Sequence, residues 1–120
     1  IQTSRCVIPA DGYYEWKREE KNKVPYYFTK EDDDIMFFAG IHQNNQFCII
    51  TREATEKISN IHHREPMIIN QSQINNYLNL KKEAMSVLNY IKPPNLKFYE
   101  ISKDVNNPLK NDPTLIKPVS

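Results

Sequence analysis

Apolar and aromatic residues in the first half of this chain come in short runs of three to seven, each closed by turn-formers or a block of charge. Residues 6–8, 13–17, 25–29, 36–42 and 47–51 are such runs, rich in Val, Ile, Tyr and Phe. Runs of that length and composition read as strands. Between them stand Ala10-Asp11-Gly12, the charged 18–23 segment, Glu31-Asp32-Asp33-Asp34 and the polar 43–46 turn. Segments this short favour antiparallel neighbours, because a parallel pair needs a long crossover. Gly12 and Gly40 are the only two glycines, so each marks a backbone requirement.

Helical spacing comes later. Residues 53–60 suit one short helix, and 71–80 and 82–91 carry Ile74, Tyr77 and Leu78, then Met85 and Leu88, at three- and four-residue intervals. Asn70 or Ser72 is a candidate cap, and Pro93-Pro94 closes the helical region. Residues 96–101 alternate as a half-exposed strand, and the Asn- and Pro-rich 105–120 tail is expected to wrap the surface in extended form. The expected fold is α+β, mainly antiparallel sheets with a few short helices, in a single domain over residues 1–120.

Composition narrows the function. A net charge of +1 gives no global basic field, which leaves nucleic-acid binding to a local patch. No apolar run approaches the roughly 18 residues of a membrane helix, so no membrane partner is expected. Cys6 and Cys48 lie inside apolar runs without CxxC spacing. They read as buried structural thiols in a reducing cytoplasm, with no signal peptide ahead of the first strand.

Few residues could carry chemistry. Glu15 follows the Pro9-Ala10-Asp11-Gly12 turn with Tyr13, Tyr14 and Trp16 around it. Aromatic surroundings tend to raise a carboxyl pKa toward the range useful for proton transfer. His62 and His63 are adjacent, so on an extended chain they point to opposite sides, one into a pocket and one to solvent. That geometry and the lack of HExxH spacing argue against a metal site. The four acids at 31–34 lack EF-hand spacing and read as a hairpin loop. Arg64, close to Pro66, offers bidentate donors suited to phosphate. Asn106-Asn107-Pro108 is a polar turn that could line a groove, as could Trp16. The 18–23 block reads as a solvated hairpin tip. No cofactor is implied. The candidates reduce to an acid, a base and a cation.

Taken in order, the blocks Arg5-Cys6-Val7-Ile8-Pro9-Ala10-Asp11-Gly12-Tyr13-Tyr14-Glu15-Trp16, Pro25-Tyr26-Tyr27, Phe38-Ala39-Gly40-Ile41, Thr51, Ile61-His62-His63-Arg64-Glu65-Pro66-Met67-Ile68 and Val105-Asn106-Asn107-Pro108 resemble the SRAP (SOS-response-associated peptidase) family. The resemblance implies an open-barrel fold and the sensing of abasic sites in single-stranded DNA. In that family a mature N-terminal cysteine forms a Schiff base and then a thiazolidine with the opened sugar, with associated autopeptidase and lyase-type activity. It further implies proton-transfer roles for Glu15 and His62, and phosphate contacts for Thr51 and Arg64.

The sequence departs from the family in several places. The nucleophilic cysteine is not among these residues, since Cys6 belongs to the strand motif, and the family's N-terminal half with its Asn-Ala-Arg segment is missing. His63 stands where the family commonly has Asp. The expectation is therefore the C-terminal portion of such a domain, with exposed sheet edges that point to association with the missing half or with a second copy. A non-covalent single-stranded DNA-binding module and an inactive truncated remnant stay open beside it.

Overall fold

The computed structural model describes residues 4–119. Strands β1 (Arg5–Ala10), β4 (Met36–Gln43) and β5 (Gln46–Ile49) form one antiparallel sheet in the order β1-β4-β5. A second sheet has the order β2-β3-β8, from β2 (Tyr13–Glu19), β3 (Asn22–Lys30) and β8 (Leu96–Glu100). A two-stranded ribbon joins β6 (Thr51–Glu53) to β7 (Arg64–Pro66). The helices are short: α1 (Glu56–Ser59), α2 (Ile74–Leu78) and α3 (Ala84–Asn89). The fold is α+β and antiparallel, with no closed barrel among the described residues. No described helix is long and apolar enough to cross a membrane.

Period-two alternation builds the core. Ile8 and Phe38, paired across β1 and β4, face a cluster with Phe28, Met36, Ile58, Ile61, Ile68 and Leu96 between the sheets. Val7 and Ala39, one residue along, face the helices, where Tyr77, Ala84, Leu88 and Ile91 are buried. Met85, expected on the inward face of its helix, is half exposed, because Ala84, Leu88 and Ile91 take that face. Arg5 is buried. Its guanidinium donates to the carbonyls of Tyr77 (2.7 Å), Asn79 (3.0 Å) and Lys82, and so ties β1 to the α2–α3 connection.

Several local expectations are corrected. β1 continues through Pro9, which an edge strand tolerates because one side of its backbone needs no partner. The acidic 31–34 segment is not a hairpin loop. It carries the chain from β3 in one sheet to β4 in the other, with Asp33 paired to Lys97 at 2.9 Å. The C-terminal segment is not uniformly extended. It forms 3-10 turns at Lys103–Asn106 and Pro113–Ile116, capped by the side chains of Ser102 and Asp112, and Ser120 lies outside the described residues. Cys48 is exposed on edge strand β5 and Cys6 is half-buried, so neither is the fully buried thiol expected. Burial pushes the Cys6 thiol pKa up, opposite to what a reactive thiolate needs.

Candidate acid–base site and its neighbouring ribbon

Two distant segments bring the acid and the base together. Glu15 sits mid-strand on β2, and His62 lies in the bend between α1 and β7. Glu15 Oε1 is 3.8 Å from His62 Nε2. Both side chains are about one-third exposed or less, at 27% and 32%. They line an open cavity of about 760 Å³ with Trp16, Lys17, Arg18, Lys23, Asn60, His63 and Asn106 among its walls.

His62 is steered by backbone. Its Nδ1 lies 3.2 Å from the Arg64 amide nitrogen and 3.1 Å from the Arg64 carbonyl oxygen. A donor and an acceptor are thus both offered to one ring nitrogen, so the ring keeps its place in either neutral tautomer or as the cation. In every case Nε2 is left toward Glu15. Such a mount suits a group that must change protonation state without swinging away.

The expected split of the histidines does not occur. The rings of His62 and His63 stack at 4.6 Å with planes 25° apart, and both reach the cavity. The alternation rule fails because His63 occupies a bend, not a strand. The aromatic surroundings of Glu15 are also redistributed. Tyr14 packs with Trp16 and with Tyr27 on one face of β2. Tyr13, on the same face as Glu15 by the strand period, stacks on Phe28 at 4.7 Å.

Trp16 donates from its indole Nε1 to Asn106 Oδ1 at 2.9 Å, which fastens the Lys103–Asn106 turn to the rim of the cavity. Asn107 does not join them. Its side chain accepts from the Leu109 amide and shapes its own turn. Thr51 and Arg64 stand beside the cavity on the β6–β7 ribbon. Arg64 donates from Nε to Thr51 Oγ1 at 3.2 Å and from Nη2 to the Thr51 carbonyl at 2.9 Å. No carboxylate pairs with this exposed guanidinium among the described residues. Held on one edge and uncompensated, it keeps its remaining donors and full charge for an external anion.

Sequence reasoning missed Glu65. It is only 4% exposed, 3.6 Å from Arg52 Nε and within 3.5 Å of the Thr55 hydroxyl. Burial raises its pKa, with Thr55 and Arg52 opposing the rise. Alternation from the outward Arg64 was the available signal, since it sends the next residue inward. Tyr13 was likewise read only as aromatic company. Its hydroxyl is buried without a hydrogen-bond partner among the described residues, and burial together with Glu65 and Glu15 raises its pKa. A second cleft of about 600 Å³, walled by Arg52, Thr55, Glu65 and the Pro93–Pro94 segment, holds neither Glu15 nor His62. No cluster of three or more potential metal ligands occurs among the described residues.

Comparison with known proteins identifies relatives of the chain. The chain is 31% identical to the abasic site processing protein YoqW of Bacillus subtilis, covering 98% of this chain and 58% of that protein. It is 32% identical to YoaM of the same species, over 97% of the chain and 57% of the relative. HMCES of Gallus gallus, also an abasic site processing protein, is 29% identical over 99% of the chain and 45% of its own length. The chain thus spans about half of the length of these relatives, from 45% to 58%. A crystal structure of a protein from Bacteroides thetaiotaomicron superposes with a TM-score of 0.84 at 29% identity, covering 100% of this chain and 59% of that one. Residues 1–108 match the family described as SOS response associated peptidase (SRAP), and the chain belongs to that family.

Proposed function

We propose that this chain supplies the acid–base pair and a phosphate contact of a protein that processes abasic sites in single-stranded DNA. The observation that carries this reading is the Glu15–His62 pair across a cavity, with the uncompensated Arg64–Thr51 contact beside it. The names of the relatives support the substrate class.

In this reading the abasic sugar enters the cavity while its phosphate meets Arg64 and Thr51. Glu15 moves the proton that opens the ring and frees the aldehyde. An N-terminal cysteine, which these 120 residues do not contain, condenses through its amine with loss of water, and its thiol then adds to the C=N bond to close a thiazolidine. His62 handles the proton on the nitrogen, and the same proton traffic serves reversal and the autopeptidase step. The exposed edge strand β5, carrying Phe47, supports association with the remainder of such a domain or with a second copy.

A non-covalent DNA-binding module is the second reading, favoured by one observation. The Arg64–Thr51 contact needs no nucleophile to bind phosphate. Incubating the full-length protein with abasic single-stranded DNA decides between them. A denaturation-resistant adduct lost on removal of the N-terminal cysteine supports the first. Salt-sensitive binding without an adduct supports the second.

A further inference from the structure

The site cavity extends beyond the acid–base pair to a cationic end at the β2–β3 turn. Lys17, Arg18 and Lys23 reach the same cavity as Glu15 and His62. In the β2–β3 register Arg18 lies directly opposite Lys23. Like charges facing each other across a strand pair are destabilising, so this pairing carries a cost within the folded chain. Lys17 is partly compensated by Glu19 at 3.5 Å, whereas Arg18 and Lys23 have no carboxylate partner among the described residues. β2 is the outer strand of its sheet, which leaves this end open along one side.

We propose that Arg18 and Lys23 form a second phosphate subsite, which holds the phosphodiester next to the nucleotide reacting at Glu15 and His62. Strand geometry sets the spacing. From Glu15 to Arg18 is three residues, about 10 Å along an extended strand. The odd spacing puts Arg18 on the face of β2 opposite Glu15, so its long side chain reaches the shared cavity round the open outer edge of the sheet, where it and Lys23 can meet a neighbouring phosphate. With Arg64 on the β6–β7 ribbon, the strand would be gripped on two sides of the reacting sugar, one phosphate per side. Two opposed cations relieve their mutual repulsion by sharing one anion, so binding removes the cost that the free hairpin carries. The inference rests on the proposed DNA substrate and specifies how far along the strand recognition extends.

The test uses the full-length protein and a fluorescent single-stranded oligonucleotide carrying a tetrahydrofuran abasic analogue, which cannot form a Schiff base. Anisotropy titrations over a salt series compare wild type, Arg18→Gln/Lys23→Gln, the charge-conserving Arg18→Lys/Lys23→Arg, and Arg64→Ala. The expected result is a salt slope shallower by about 0.7 in the glutamine double variant, as for one lost phosphate on a single strand. The charge-conserving variant should keep the wild-type slope. Shortening the oligonucleotide on one side of the analogue should erase the difference between wild type and the glutamine variant. A wild-type slope in that variant, with binding weakened by Arg64→Ala, overturns the subsite and leaves the DNA reading intact. Absence of any wild-type binding overturns both.

Discussion

Glu15 Oε1 stands 3.8 Å from His62 Nε2, while the other nitrogen of the same imidazole rests on the backbone of Arg64. One ring therefore couples the acid on β2 to the cation on the β6–β7 ribbon. If this pair moves protons, Glu15→Gln keeps the shape and removes the exchangeable carboxyl. Adduct formation by the full-length protein with abasic single-stranded DNA should slow on the order of 100-fold. A His62→Ala change should alter formation or reversal of the adduct. Wild-type kinetics for both variants would assign the pair a purely structural role.

Arg64 is held by Thr51 and pairs with no acid among the described residues, so its loss should be felt by the ligand more than by the fold. Arg64→Ala should weaken DNA binding evenly across base sequences and make the salt slope shallower by about 0.7. Thr51→Val should give a smaller loss, because it removes the hydroxyl that orients Nε but not the charge. An unchanged slope for Arg64→Ala would remove it from the DNA contact.

Glu65 makes stability depend on pH. Burial holds its carboxyl above the ordinary value of 4.5, so the folded chain binds that proton more tightly than the unfolded chain. Its contribution to stability is fully present below 4.5 and is lost as pH rises through the raised folded value. Glu65→Gln should flatten urea-unfolding midpoints across that interval, since glutamine fills the same space without titrating. An identical pH profile in the variant would refute the assignment.

Gly12 is required for space. A Cβ there would lie 2.5 Å from the Tyr27 ring and 2.7 Å from the Phe28 carbonyl oxygen, and the backbone half of that clash cannot rotate away. Gly12→Ala should destabilise by about 1–3 kcal/mol, as overpacking does. Because Gly12 leads into β2, the site should loosen with it. An unfolding free energy from urea titration within about 0.5 kcal/mol of wild type would show that the turn yields freely.

Much of the arrangement was legible before any coordinates. Tyr13 to Lys17 and residues 25–29 pair as the hairpin expected of them, while Glu15 meets His62 and Arg64 meets Thr51. The failures share a cause. Alternation says that successive strand residues face opposite ways, but not which way the sheet edge looks. The 18–23 block is the solvated hairpin tip it was read as, and what alternation did not show is that its Arg18 and Lys23 also line the cavity. His62 and His63 stack because the chain bends there, and period-two logic holds only within a strand.

The amino-acid order alone determined the class of fold, since strand length, turn chemistry and late helical spacing are local properties written within a few residues. It also determined the acid, the base and the cation as residue types at given positions. Only the tertiary structure decided that His62 turns Nε2 to Glu15 and Nδ1 to the Arg64 backbone, that Glu65 is buried against Arg52, and that the acidic link joins two sheets. Those outcomes depend on how distant strands stack around Phe28, Phe38 and Ile61. Such contacts are set by the packing of the whole core, which no single segment encodes.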